Sequence, residues 1–309
     1  MSMQETEFIW MSGKLVPWHE ARVHVLSHVL HYGTGAFEGI RAYDSPSGPA
    51  ILGLDAHVER LFRSCSALYM PLPWSREEVR SAILETVKAN GLGSCYIRPL
   101  AFLGYHGLGV MPAEDHPVEL SIAAFPWGAY HGAEGLETGV DVAVSSWRRM
   151  APDTHPAMVK ASGNYVNSML VVREAKRHGY AEGIVLDSDG YVCEGSGENL
   201  FVIYEGKLMT PPVGQSILPG ITRGYVIQLA ADQGMETCEQ IISREMLYAA
   251  DEIFMTGTAA EITPVRSVDR IAIGHGSRGE TTRKLQEDFF GILHGEAPDR
   301  HGWLTPVNS

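Results

Sequence analysis

Between Phe8 and Tyr43 the apolar positions fall in short runs of aromatic and branched residues. Phe8 to Trp18 reads as two strands around a Ser12-Gly13 turn, and Phe37 to Tyr43 as another strand. The period then changes. From Asp55, the expected N-cap, Val58, Leu61, Phe62, Cys65, Leu68 and Tyr69 recur at helical spacing, which puts Arg60 and Arg63 on the opposite face. Ser75-Arg76-Glu77-Glu78 is a capping-box pattern that opens a second helix, closed by Gly91. Strands return at Cys95 to Leu103 and at Val118 to Pro126. The Gly/Pro/His-rich run Gly104 to Pro117 between them has the length of a functional loop and is a candidate substrate lid.

Trp127 to Gly139 has four glycines and no period, so it is expected to join two domains, 1–126 and 140–309, with 127–139 as linker. Beyond it the pattern predicts a strand at Val140 to Ser145, a helix from Tyr165 to His178 closed by Gly179, and a strand at Gly183 to Leu186 that turns at Asp189-Gly190. A strand Tyr191 to Cys193 and further strands around Asn199 to Ile203 follow. Helices are expected from Ile221 to about Gln233, from near Ser243 and from Thr282 to Leu293, with a buried strand at Glu252 to Thr256. Strands and helices mix in both halves, which predicts an α+β or α/β fold in two domains.

A chain of 309 residues suits two domains better than one. The net charge of -13 is spread without acidic or basic blocks, which argues against a nucleic-acid footprint or an anionic membrane surface and for a small-molecule partner. Cys65, Cys95, Cys193 and Cys238 form no Cys-x-x-Cys pair and fit a reducing compartment. The start, Met-Ser-Met-Gln-Glu-Thr-Glu, is acidic where a signal peptide is basic, and no apolar run approaches the roughly 20 residues of a membrane-spanning helix, so a cytoplasmic location is expected.

Lys160 stands among small and apolar neighbours in Pro156 to Leu170. An amine held out of water is a nucleophile able to form a Schiff base, although a surface lysine ahead of a helix is the simpler alternative. Glu194-Gly195-Ser196-Gly197-Glu198-Asn199 sets a carboxylate after a strand, where it could hold a ring nitrogen protonated or simply be solvated in a turn. Leu218-Pro219-Gly220-Ile221-Thr222-Arg223 leaves the first amides of a helix open to an anion such as phosphate, and Gly257-Thr258-Ala259-Ala260-Glu261 offers a hydroxyl and turn amides of the same kind. His24, His28 and His31 could face a metal from one side of a helix, which keeps a metal-dependent hydrolase open as a reading of another class, beside a ligand-binding module without catalysis. Gly33 to Gly39 is not a dinucleotide fingerprint, because its third glycine is one position late and a strand follows where a helix is required.

A lysine, a glutamate, two amide-rich turns and a helix-borne arginine are together the parts that hold pyridoxal 5'-phosphate (PLP). Over nearly its whole length the chain resembles the branched-chain amino acid aminotransferases, fold type IV PLP enzymes. The likeness is carried by His31 to Arg41, Tyr96 to Pro99, Phe125 to Tyr130, Lys160 to Tyr165, Glu194 to Asn199, Leu218 to Arg223 and Gly257 to Val265. The resemblance implies a small α/β domain followed by a larger pseudo-barrel domain. It implies Lys160 as Schiff-base anchor and proton carrier, Glu194 at the pyridine nitrogen and Tyr165 at the ring hydroxyl. Arg60, Leu218, Gly220, Ile221, Thr222, Gly257 and Thr258 complete the expected cofactor site. Thr258 and Ala259, with Tyr96, are expected to bind the substrate α-carboxylate. Tyr32, Phe37, Val110, Trp127, Tyr130 and Ala260 would line an apolar pocket, in which Arg98 and Tyr32 receive the second carboxylate of glutamate. In the family Tyr32 and Val110 belong to the neighbouring subunit, which implies a homodimer with shared active sites and leaves a hexamer open. The implied activity is transfer of the amino group of L-leucine, L-isoleucine or L-valine to 2-oxoglutarate, without a metal. D-amino acid aminotransferases, (R)-amine transaminases and aminodeoxychorismate lyases share the PLP parts, and the Tyr96-x-Arg98 pair favours the branched-chain enzymes. Ala113 to Pro117 matches no family pattern.

Overall fold

The structure, a computed structural model, describes residues 4–128 and 130–308. The first three residues of the acidic start, Ala129 of the Phe125 to Tyr130 segment, and Ser309 lie outside the described residues. The chain divides into two compact units: one runs up to Trp127 and also takes in Val159–Gly163 and the residues from Ile292 on, and the other comprises Gly128–Met158 and Asn164–Gly291. The division differs from the expected 1–126, 127–139 and 140–309 in that the chain crosses back twice. It does so because Ala161 bridges to Ala36, and because Leu304–Pro306 pairs with Ala50–Leu52. Residues expected to be linker include a helix, Gly132–Thr138, whose two glycines hide its period.

The first unit is built on an antiparallel sheet in the order Leu304–Pro306, Ala50–Leu52, Ile40–Tyr43, Cys95–Leu103, Val118–Phe125, Phe8–Met11, Lys14–Pro17, with Gly35–Phe37 also paired to Cys95–Leu103. Ser12 and Gly13 make the expected hairpin turn with φ of 43° and 109°. Helices Leu54–Ala67 and Arg76–Ala89 bury Val58, Leu61, Cys65, Val79, Ile83 and Val87 with Ile40, Ile97 and Ile122 of the sheet. The Ser75–Glu78 capping box is formed. Three expectations are corrected. The cap of the first helix is Gly53 at φ 64°, not Asp55, which lies in the first turn and pairs with Arg80. Tyr69 is not on the apolar face, because the helix ends at Ala67 and Tyr69 is 94% exposed. The strand expected from Phe37 to Tyr43 is interrupted at Glu38-Gly39, where the Glu38 side chain turns inward.

The second unit closes a ring of strands: Val192–Gly195, Glu182–Leu186, Val140–Arg148, Glu261–Val268, Glu252–Gly257 and Asn199–Tyr204, the last returning to the first through the pair Glu194↔Asn199. Lys207–Thr210 and Thr237–Glu239 extend this sheet beyond the ring. The strand Val140–Arg148 runs parallel to both of its neighbours. Continuous apolar runs suit strands covered on both faces, and all five residues of Glu182–Leu186 are buried. Val142, Ile184, Leu200, Val202, Ile253, Met255 and Val265 form one core. On the other face of the sheet Phe201 and Phe254, both fully buried, stack at 4.9 Å. Helices Tyr165–Arg177, Ile221–Asp232, Arg244–Ala249 and Glu280–Leu293 match the predicted positions to within a few residues. The mixed architecture and the closed strand ring agree with the expected fold class.

Truncating a fully buried, stacked ring leaves a cavity and costs about 3–5 kcal/mol. Phe254→Ala is therefore expected to destabilise the second unit by that amount, read from its urea midpoint by tryptophan fluorescence and circular dichroism.

Candidate active site

Lys160 belongs to the first unit although it lies between two stretches of the second. Its carbonyl accepts the Phe37 N–H at 3.1 Å, and its own N–H donates to the Ser64 hydroxyl at 3.2 Å. The backbones can approach this closely because of glycine: a Cβ on Gly33, which sits at φ 67°, would lie 3.0 Å from the Gly163 Cα. The helix that follows begins at Tyr165, so Lys160 is held by a sheet edge rather than presented at a helix start. Its Nζ lies 5.0 Å from the centre of the Phe37 ring, and the side chain is half-buried.

Arg60, expected on the outer face of its helix, is turned inward. Its Nε and a terminal nitrogen donate to the two oxygens of Glu38, each at 2.7 Å, and His57 Nδ1 meets the same carboxylate at 2.7 Å. Burial alone would raise the Glu38 carboxyl, but the Arg60 charge and the hydrogen bonds from Arg60 and His57 hold it well below the usual range. Burial also pulls His57 down, against the opposing pull of Glu38. Nothing in the sequence placed Glu38 here. Its only sign was an acid in a predicted strand whose one other charged residue is Arg41.

The same unit gathers the aromatic residues. Tyr96 is buried against Phe125 and Trp127, at ring separations of 5.8 and 5.6 Å. Its hydroxyl accepts from Arg98 at 3.2 Å and fills the space a Cβ on Gly39 would need, 1.9 Å away. The Arg98 guanidinium lies 4.9 Å from the Phe37 ring and 5.2 Å from the Tyr96 ring, and its buried Nε has no hydrogen-bond partner. Tyr32 and Trp127 are about two-fifths exposed and Val110 is 82% exposed. The expected lid is tied down by histidine: His28 Nε2 donates to the Gly109 carbonyl at 2.9 Å and His116 Nε2 to that of Gly104 at 3.0 Å. His24 Nδ1 accepts from the Leu26 N–H, and His31 bonds the Val25 carbonyl, so the three histidines serve the backbone rather than converge on a metal.

In the second unit Glu194 lies inside the strand Val192–Gly195, not after it, and is buried. Arg149, also buried, meets it at 2.7 Å, and the Asn199 amide and the Leu218 N–H donate to Oε2 at 3.2 and 3.0 Å. Sequence reading missed Arg149, which sits far from any acid it pairs with, with Arg148 as its only distinguishing neighbour. Asn199 also donates to the Leu218 carbonyl at 2.9 Å, and a Cβ on Gly220 would lie 1.9 Å from Asn199 Oδ1, so a larger residue there would displace the Asn199 amide. Gly220 leads into the helix Ile221–Asp232 with no side-chain cap, and Thr222 is buried in its first turn. Thr258, Ala259 and Ala260 form the turn between Glu252–Gly257 and Glu261–Val268, with Gly257 the last residue of its strand, and the Thr263 hydroxyl donates to the Ala260 carbonyl at 2.6 Å. Tyr165 opens its helix half-buried, and the ring of Tyr130 packs edge-on to His131. Each unit thus holds its share of the predicted groups in ordered positions.

The model of the amino-transferase class IV family matches residues 35–268. The chain belongs to the class IV aminotransferases. It is 52% identical to the branched-chain-amino-acid aminotransferase of Salmonella typhimurium, with the whole of both chains covered. Among solved structures it resembles the Escherichia coli branched-chain amino acid aminotransferase, at a TM-score of 0.97 and 53% identity over 98% of this chain and all of the other. It also resembles the branched-chain amino acid aminotransferase of Thermobaculum terrenum in its PLP form, at a TM-score of 0.90 and 35% identity, over 98% of each chain.

Two measurements check the electrostatics of this aminotransferase. Because the folded pKa values of His57 and Glu38 are both depressed, each contributes stability above its unfolded value that is lost on acidification. The urea midpoint of the first unit should fall as pH drops below about 6.5, and further below about 4.3. Arg149→Met leaves Glu194 buried without its cation, and a loss of about 3–5 kcal/mol is expected in the second unit, with recovery in Arg149→Met/Glu194→Gln.

Proposed function

We propose that this enzyme moves the amino group of L-leucine, L-isoleucine or L-valine reversibly to 2-oxoglutarate with PLP. The observation that carries the substrate reading is Arg98, a guanidinium set against the Phe37 and Tyr96 rings with one buried N–H unpartnered. An aromatic surface suits a branched apolar side chain, and a half-buried guanidinium within it suits the second carboxylate of glutamate. One pocket then serves both substrates of the exchange. Similarity to named branched-chain enzymes over the full chain supports the same reading.

The residues fit PLP on their own chemistry: a half-buried amine, a buried carboxylate backed by Arg149, and a helix start with uncapped amides behind Gly220. The cofactor supplies an electron sink for the charge that develops when a proton leaves the substrate α-carbon. Lys160 would hold it through its amine and would carry the α-proton. Glu194, fixed by Arg149 and Asn199, would keep the ring nitrogen protonated, and Tyr165 would bond the ring hydroxyl. Arg60, oriented by Glu38, would take the phosphate with the Ile221 and Thr222 amides, Gly257 and Thr258, while Leu218 and Gly220 would shape the turn. The Thr258 and Ala259 amides, with Tyr96, receive the α-carboxylate. Phe37, Trp127, Tyr130 and Ala260 line the pocket, completed by Tyr32 and Val110 of a second copy in a homodimer with shared sites, a state that light scattering checks. The exposure of Tyr32 and Val110 in a single chain supports that assignment. The enzyme acts in the cytoplasm; among the described residues no helix is long and apolar enough to cross a membrane.

Lys160→Ala is expected to fold, to lose the visible absorbance that survives dialysis of the wild type, and to lose transamination. In Arg98→Met the half-reaction with L-leucine should persist while that with L-glutamate falls more than about 100-fold, as expected when a partly buried charge pair is broken. Absence of transfer from L-leucine, or faster transfer from D-alanine or (R)-phenylethylamine, overturns the assignment.

A further inference from the structure

Apart from the groups assigned above, the second unit brings together one imidazole and two carboxylates. His131, Glu182 and Glu198 each place a potential ligand atom within 4.8 Å of the other two. They come from separate parts of the chain: His131 precedes the helix Gly132–Thr138, Glu182 begins the strand Glu182–Leu186, and Glu198 precedes the strand Asn199–Tyr204.

Glu182 is fully buried. The carboxylate lies against the Ser196 hydroxyl and N–H, and its Oε1 accepts the Gly183 N–H at 2.7 Å, whereas Oε2 has no hydrogen bond of good geometry. His131 Nε2 is likewise buried and unpartnered. Glu198 is buried too, and its Oε2 accepts the Gly197 N–H at 3.0 Å. An interior carboxylate oxygen and an imidazole nitrogen left without partners are costly, and a shared cation satisfies both. Glycines make the room: a Cβ on Gly135 would lie 2.8 Å from the His131 Cβ, and one on Gly195 would lie 2.7 Å from Glu198 Oε2.

We infer that His131, Glu182 and Glu198 form a site for a divalent first-row transition cation, with zinc the best match to one nitrogen and two oxygens. Ligands about 2.0–2.2 Å from a common ion lie roughly 3.5 Å apart, so small side-chain rotations close the set. His131 also lines a cavity of about 360 Å³ with Glu134, Thr138, Asp141, Tyr180 and Arg266. Glu198 leads directly into Asn199, which donates to Glu194. The ion would therefore brace the loop behind a proposed cofactor contact without touching the reacting atoms.

The test uses the PLP-loaded enzyme, stripped with chelator, incubated with zinc chloride and desalted, with metal measured by mass spectrometry. One zinc per chain is expected in the wild type and none in His131→Ala or Glu182→Gln, with visible absorbance reporting that each variant is folded and loaded. Affinity in His131→Ala should fall more than about 100-fold, beyond what loss of an outer partner costs. Equal zinc in wild type and His131→Ala means surface imidazoles and overturns the site. No zinc in the wild type overturns it as well. Should both variants fail to fold, X-ray absorption of the zinc-loaded wild type decides: one imidazole with oxygen ligands supports the site, and an all-imidazole shell overturns it.

Discussion

The placement of Lys160 rests on a close backbone approach. Gly33 and Gly163 pass so near one another that a single added carbon would touch the opposite chain, and the bridge between Ala36 and Ala161 follows from that contact. A lysine on a flexible loop would spend most of its time in water. Held at both its amide and its carbonyl, Lys160 has its stem fixed where Phe37 and His57 also lie, and only the side-chain torsions remain to be ordered when it reacts. The same strand carries Phe37, and the residue after it is Glu38, so three roles are tied to one short segment.

Buried charge in each unit is organised by a carboxylate with more than one donor. Glu38 takes Arg60 and His57, and Glu194 takes Arg149, Asn199 and the Leu218 amide. A lone ion pair in the interior scarcely recovers its desolvation, whereas saturating the oxygens with directed donors does. In both cases the surplus is positional: Arg60 and Glu194 are each left with one orientation.

Much of this was legible in the chain. The capping box at Ser75, the apolar faces of the helices and the strands Cys95–Leu103 and Glu252–Gly257 are local signals, and they stand where they were expected. Lys160, Glu194 and the Gly220 turn were recognisable as chemistry because their neighbours are small residues or glycine. What escaped was long-range. Arg60 looks solvent-facing on its own helix, since the acid that draws it inward is 22 residues away. Arg149 has its acid, Glu194, 45 positions later, so neither periodicity nor motif could couple them. Gly53 displaced Asp55 as a cap because a left-handed residue, not a side-chain acceptor, begins that helix.

The strand ring has one further consequence. Val140–Arg148 is held on one side by Glu261–Val268, about 120 residues downstream, and the first unit's sheet takes its last strand from Leu304–Pro306. Neither unit can complete its hydrogen bonding until nearly the whole chain has left the ribosome. Loop closure over such separations is slow, and the unpaired strands wait exposed in the interval. Synthesis of this protein therefore delivers a long-lived, open-edged nascent chain, whose yield depends on how well those edges are shielded before the C-terminus arrives.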